Sequence, residues 1–141
     1  MPRYESLQPE YNLYDRSTYE GDLEKICREN NLGVITYFSL ASGFLTGKYR
    51  SERDLGKSPR GEGIGKYLDA RGLRILAALD EVAAQYSATP AQVALAWLMA
   101  RPGLTAPIAS ATRIEQLDDL IASTKLKLDA SAVERLRQAG A

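Results

Sequence analysis

Apolar positions recur along this chain with a period that changes several times, and each change marks an element. Residues 5–10 (ESLQPE) predict a brief strand that ends with Pro9 at Tyr11 and Asn12. Ser17-Thr18-Tyr19-Glu20 has the spacing of a capping box. The Ser17 hydroxyl would accept from the Glu20 amide, and the Glu20 carboxylate would reach back to Ser17. Tyr19, Leu23, Ile26 and Cys27 follow at helical spacing, which predicts an inward face, and Asn30, Asn31 and Gly33 stop the helix. Residues 33–38 (GVITYF) are β-branched and aromatic without alternation, as in a parallel strand covered on both faces.

Residues 40–48 form a glycine-spaced loop or short helix, and 49–67 read as a long loop holding Gly56, Pro59, Gly61, Gly63 and Gly65. The spacing of Leu73, Leu76, Leu79, Ala83 and Tyr86 predicts a helix over 69–86 with those residues inward. Thr89-Pro90-Ala91-Gln92 opens another helix: Thr89 caps it, Pro90 takes the first position and Gln92 completes the box. Val93, Ala94, Trp97 and Leu98 face inward. Residues 104–109 predict a strand, with Pro107 restricting it to an edge or bulge. Thr112-Arg113-Ile114-Glu115 has capping-box spacing and opens a helix with Ile114, Leu117 and Ile121 inward. Asp129 or Ser131 caps a last helix through Val133 and Leu136.

Strands alternating with helices imply an α/β fold with parallel pairing and right-handed crossovers. Length and composition are those of a single globular domain over 1–141. Only three strands are present, so the sheet should leave apolar surface and two unpaired edges, a hazard for self-association. A closed barrel of this type needs eight.

Charge and residue counts narrow the chemistry. Lys and Arg balance Asp and Glu at 18 each, which gives no general attraction to nucleic acid or acidic membranes. No apolar run approaches the roughly 20 residues of a membrane helix, and the N-terminus is polar. There is no histidine, which removes the commonest general base and His-ligated metals. Cys27 is the one cysteine, placed in the core by its helix face, and it excludes an internal disulfide. That fits a reducing, cytoplasmic setting. From Lys48 to Lys66, six basic residues (Lys48, Arg50, Arg53, Lys57, Arg60, Lys66) stand against three acidic ones. The long loop is thus locally basic, either functional or simply a surface loop.

Two segments suit an anion. Residues 39–48 follow the buried strand with glycines at 43 and 47 and a terminal Lys48, although the Walker spacing is absent. Residues 109–113 (ASATR) lie between a strand and a helix, where free amides, the helix dipole and Arg113 favour an anion. Each alone also reads as ordinary structure: a glycine turn, and a capped helix with a solvated arginine. In eight-fold βα barrels, phosphate is commonly held by the loops after the last two strands and a helix N-terminus. If these are those strands, the two segments belong together.

Four stretches in order resemble the aldo-keto reductase family: Leu7–Leu13 (LQPEYNL), Gly33–Tyr49 (GVITYFSLASGFLTGKY), Thr89–Leu98 (TPAQVALAWL) and Pro107–Leu117 (PIASATRIEQL). The resemblance spans nearly the whole chain. It implies a partial (β/α)8 TIM barrel covering the last three βα units, with NADP(H) as cofactor and carbonyl reduction as the family's activity. It further implies that Gln8 holds the nicotinamide carboxamide and that Tyr37 stacks on its ring. Ser39, Leu40, Gly43, Leu45, Gly47 and Lys48 would wrap the pyrophosphate. Ser110, Thr112 and Arg113 would meet the 2′-phosphate, with Gln116 and Asp119 by the adenosine. Asp119-Leu120 departs from the family's Glu-Asn, and Leu120 cannot hydrogen-bond adenine. The family's catalytic Asp, Tyr, Lys and His come from earlier strands that are not represented here, and no catalytic or metal-ligating residue is assigned.

Hydride transfer to a carbonyl builds charge on oxygen that a positioned acid must neutralise. The expectation is therefore a cofactor-holding portion that is inactive alone: a truncated reading frame, a fragment, or one part of a larger assembly, partnered by a missing N-terminal barrel part or by another copy. The alternatives are a non-catalytic nucleotide-binding module and a self-associating structural protein.

Overall fold

The computed structural model describes residues 2–57 and 61–141. Pro59 and Arg60, counted in the basic loop, lie outside the described residues. Strands β1 (Ser6–Leu7), β2 (Gly33–Thr36) and β3 (Ala106–Pro107) form a parallel sheet in the order β1-β2-β3. Helices α1 (Asp22–Glu29), α2 (Ala70–Tyr86), α3 (Pro90–Met99), α4 (Ile114–Ser123) and α5 (Ala130–Ala139) complete the predicted order.

The register places Ser6 and Leu7 beside Gly33 and Val34, and Ile35 and Thr36 beside Ala106 and Pro107. Glu10 adds a parallel bridge to Tyr37. The first strand is shorter than residues 5–10 predicted. Pro107 cannot donate, so Thr105 and Ile108 carry the pairing, donating to Val34 O at 2.8 Å and Thr36 O at 2.7 Å. Among the described residues β1 and β3 each pair on one side only. The result is a small open sheet flanked by helices, which fits a partial, unclosed barrel.

The core lies among α2, α3 and α5 and the turns that cross them. Trp97 is fully buried, donates from Nε1 to Val133 O at 3.3 Å, and lies 5.8 Å from the Tyr11 ring. Leu76, Leu79, Val93, Leu98 and Leu136 are buried in the same cluster, as the helical spacing predicts. Cys27 is buried, and burial pushes its thiol pKa up. The predicted caps at Thr89 and Asp129 are present. The Thr89 hydroxyl accepts from Gln92 N while Gln92 Oε1 accepts from Thr89 N, and Asp129 accepts from Ala132 N at 2.8 Å.

Several expectations fail for physical reasons. The Ser17 box does not form, because Glu20 is taken by Arg16 and Tyr11; α1 begins after Gly21 with no side-chain cap. Ile26 and Leu73 are about half exposed rather than inward. The strand over 33–38 is not covered on both faces: Val34 and Thr36 are buried, Ile35 is partly open, and Phe38 is 53% exposed. Three strands offer too little sheet to bury it twice. The long loop is not irregular throughout, since Glu52–Lys57 and Gly61–Tyr67 are 3-10 turns that bring Ile64 and Tyr67 into the core. Thr112 is not the cap of α4; Arg113 occupies that position without a side-chain bond. The α4 face of Ile114, Leu117 and Ile121 points outward, with Ile114 69% exposed. Leu120, one position away, packs on the core instead.

Candidate functional site

Parallel pairing decides where the chemistry gathers. Adjacent parallel strands release their following turns at the same edge, so the segments after β1, β2 and β3 emerge side by side. Gln8 is exposed beyond the end of β1 and Tyr37 stands 38% exposed beyond the end of β2. Tyr37 meets Phe38 edge-on with ring centroids 5.2 Å apart.

The turn after β2 is wound tightly. Phe38, Ala41, Ser42, Gly43 and Gly47 all have positive φ, an arrangement that costs energy at the three non-glycine positions. Ser39 is buried, and its hydroxyl donates to Thr36 O at 3.2 Å. Leu40 is partly buried and Leu45 fully so, which leaves Leu45 no side-chain surface for a ligand. The amides of Gly43 and Leu45 both donate to Leu40 O and that of Gly47 to Phe44 O, so these three donors are already used within the turn. The charge at this turn is carried by Lys48. Its ammonium lies 3.4 Å from where a Cβ at Gly43 would stand and 5.0 Å from the Tyr49 ring centroid. Glycine at 43 therefore serves twice, in adopting φ +97° and in letting Lys48 lie over the backbone.

The turn after β3 is open. Ser110, Thr112 and Arg113 are exposed, and among the described residues the Arg113 guanidinium makes no hydrogen bond or ion pair; its backbone carbonyl accepts from Leu117 N at 3.2 Å. Gln116 reaches back from the first turn of α4, its Oε1 accepting from Thr112 N at 2.9 Å and Thr112 Oγ1 at 3.1 Å. Asp119 accepts from Gln92 Nε2 at 2.7 Å and so ties α4 to α3. Both Gln116 and Asp119 thus have structural partners as they stand.

Sequence reasoning passed over Asn12. It is fully buried at the turn after β1, and its Nδ2 donates to Phe38 O at 3.0 Å and to Asp15 Oδ2 at 3.1 Å. Its position directly after a strand, in a residue type that bonds nearby backbone, was the available signal. A shallow depression among Cys27, Asn31, Gly33 and Thr105 lies at the opposite, N-terminal ends of the strands. It gathers none of the candidate residues.

The architecture is that of a parallel α/β unit with a basic, glycine-bearing rim at the carboxyl ends of its strands. The chain belongs to the aldo/keto reductase family, whose model matches residues 2–141. It is 33% identical to the NADP(+) aldo-keto reductase yakc of Schizosaccharomyces pombe, over 95% of this chain and 41% of that protein. It is 36% identical to L-glyceraldehyde 3-phosphate reductase of Escherichia coli K12, over 79% of this chain and 34% of that protein. The thermostable aldo-keto reductase Tm1743, solved with the inhibitor epalrestat, matches its fold with a TM-score of 0.69 and 26% identity, covering 94% of this chain and 39% of the other. The chain therefore spans about two-fifths or less of the length of these relatives. No helix among the described residues is long and apolar enough to cross a membrane.

Proposed function

We propose that residues 1–141 form one domain, the C-terminal, NADP(H)-holding portion of an aldo-keto reductase barrel, comprising its last three βα units. The observation that carries this reading is the release of two basic turns, one with Lys48 and one with Arg113, from adjacent parallel strands at the same edge. That is where barrels of this kind hold phosphate.

The residues present fit such a cofactor in their chemistry. Lys48 supplies a point charge for the pyrophosphate, with Ser39, Leu40, Gly43, Leu45 and Gly47 shaping the turn that presents it. The exposed Ser110, Thr112 and Arg113 supply hydroxyls and a guanidinium fork for the 2′-phosphate. Tyr37 offers an open ring for stacking and Gln8 an amide for the carboxamide. Gln116 and Asp119 frame the adenosine side.

When bound, NADPH supplies the hydride for carbonyl reduction. An acid must then deliver a proton to the carbonyl oxygen. Tyr11 and Tyr67, two buried tyrosines of this chain, are poor sources: burial first, then hydrogen bonds to Glu20 and Asp15, hold both phenols well above their ordinary pKa. The reading is accordingly of a portion that binds cofactor but needs residues beyond these to reduce a carbonyl. Its open sheet edges and the bare face of α4 are where the rest of a barrel, or another copy, would pack.

Titration of NADPH fluorescence against the folded protein tests the proposal. Saturable binding is expected. A folded protein with no detectable binding at about 1 mM cofactor would remove the nucleotide reading and favour a purely structural role.

A further inference from the structure

Phe38 is an unusual residue to find where it is. A bulky aromatic rarely adopts positive φ, yet Phe38 sits at φ +52° with more than half its surface exposed. Neither glycine nor hydrophobic burial explains the conformation, so something else must hold it.

The holder is on the neighbouring turn. Asn12 is fully buried and uses all its side-chain capacity. Its Oδ1 accepts from the amides of Tyr14 and Asp15, each at 2.8 Å, which folds the turn after β1. Its Nδ2 donates to Asp15 and, across 26 residues, to the carbonyl of Phe38. That carbonyl also accepts from Ala41 N at 2.8 Å, which starts the glycine turn. Asp15 extends the chain of contacts by accepting from the Tyr67 hydroxyl at 2.8 Å, and the Tyr67 ring stacks on Phe44 inside the same turn. One buried amide thus connects the turns after β1 and β2 with the 3-10 segment behind them.

We infer that Asn12 is a positioning residue for the rim: by holding the Phe38 carbonyl it locks the kink that ends β2 and presents the Tyr37 and Phe38 rings to a ligand. Asn12 itself touches no ligand, because it is buried. The inference rests on the cofactor reading for what the rings meet, but not for what holds them.

Asn12→Asp keeps the acceptor oxygen and loses both donations. NMR of the ligand-free protein reads the conformation directly. Ring-to-ring NOEs between Tyr37 and Phe38 should be present in the wild type and lost in Asn12→Asp, with the Trp97 indole signal unmoved. Persistence of those NOEs would overturn the inference. Phe38→Gly, which accepts positive φ without help, keeps the test decisive if Asn12→Asp does not fold. The double variant should then recover part of the lost thermal stability, and a fully additive loss would overturn it.

NADPH titration separates the two claims. Asn12→Asp should bind about tenfold more weakly than wild type. Equal affinity would overturn the positioning role. A wild type that shows the NOEs but binds no NADPH would instead sink the cofactor reading and leave the Asn12 lock standing.

Discussion

Both terminal nitrogens of Arg50 donate to the Asp80 carboxylate, each at 2.8 Å. The same guanidinium donates from Nε to Gly47 O at 2.7 Å, so it fastens the end of the glycine turn to α2. Arg50→Lys keeps the charge and loses the fork. Because the two side chains are 43% and 48% exposed, the cost to stability should be only about 0.5–1 kcal/mol. Amide exchange over residues 43–50 should nevertheless accelerate. Unchanged exchange would mean the turn is held by its internal bonds alone.

The Arg113 side chain has no hydrogen-bond or ion-pair partner among the described residues and caps nothing. Arg113→Ala should leave the melting temperature within about 1 °C, as a surface substitution does. Its effect should fall on ligand choice. NADPH affinity should drop about ten- to a hundredfold, the worth of a charge-assisted bond, while NADH affinity stays level. Parallel titrations of the two cofactors check this, and equal losses would reject the 2′-phosphate role.

Acid should loosen the network around Glu20. Burial raises its pKa, but hydrogen bonds from Arg16 and Tyr11 outweigh that, and the net shift is downward. A carboxyl with a lowered folded-state pKa contributes its stability above the ordinary carboxylate range and loses it as pH falls through the lowered value. Melting temperature should therefore decline below about pH 5. Glu20→Gln should cost about 1–2 kcal/mol at pH 7 and flatten that decline. A variant with the wild-type pH profile would assign the acid sensitivity to other groups, such as Glu134, which Arg137 pulls down to about 2.

The outward stripe of Ile114, Leu117 and Ile121 on α4 should bind a hydrophobic dye or drive self-association at micromolar concentration. Leu117→Glu should reduce both, because a charge on the stripe opposes burial. Light scattering across a dilution series is the measurement. A monomer whose dye binding is unaffected by the substitution would show that this face has no associating role.

Local signals were legible wherever a residue's neighbours in sequence are also its partners in space. The Thr89–Gln92 box, the Asp129 cap and the inward position of Trp97 depend on one or two helical turns, and all stand as the spacing predicts. The order of strands and helices was legible for the same reason. Ser17 and Thr112 show the limit. Their box spacings are real, but Glu20 finds a stronger partner in Arg16 across a turn, and Gln116 rather than Glu115 reaches back to Thr112.

The order of residues alone defines a parallel α/β unit, with two basic turns following two strands, and its motifs are enough to suggest the family. Periodicity, capping chemistry and glycine placement act within a few residues, so one chain carries them in full. Which faces are covered is settled by the packing of the whole chain. It turned Ile114, Leu117 and Ile121 outward, buried Leu45, and brought Asn12 to the carbonyl of Phe38. Those outcomes depend on which distant elements compete for the same surface or the same hydrogen bond, and spacing along the chain does not encode that competition.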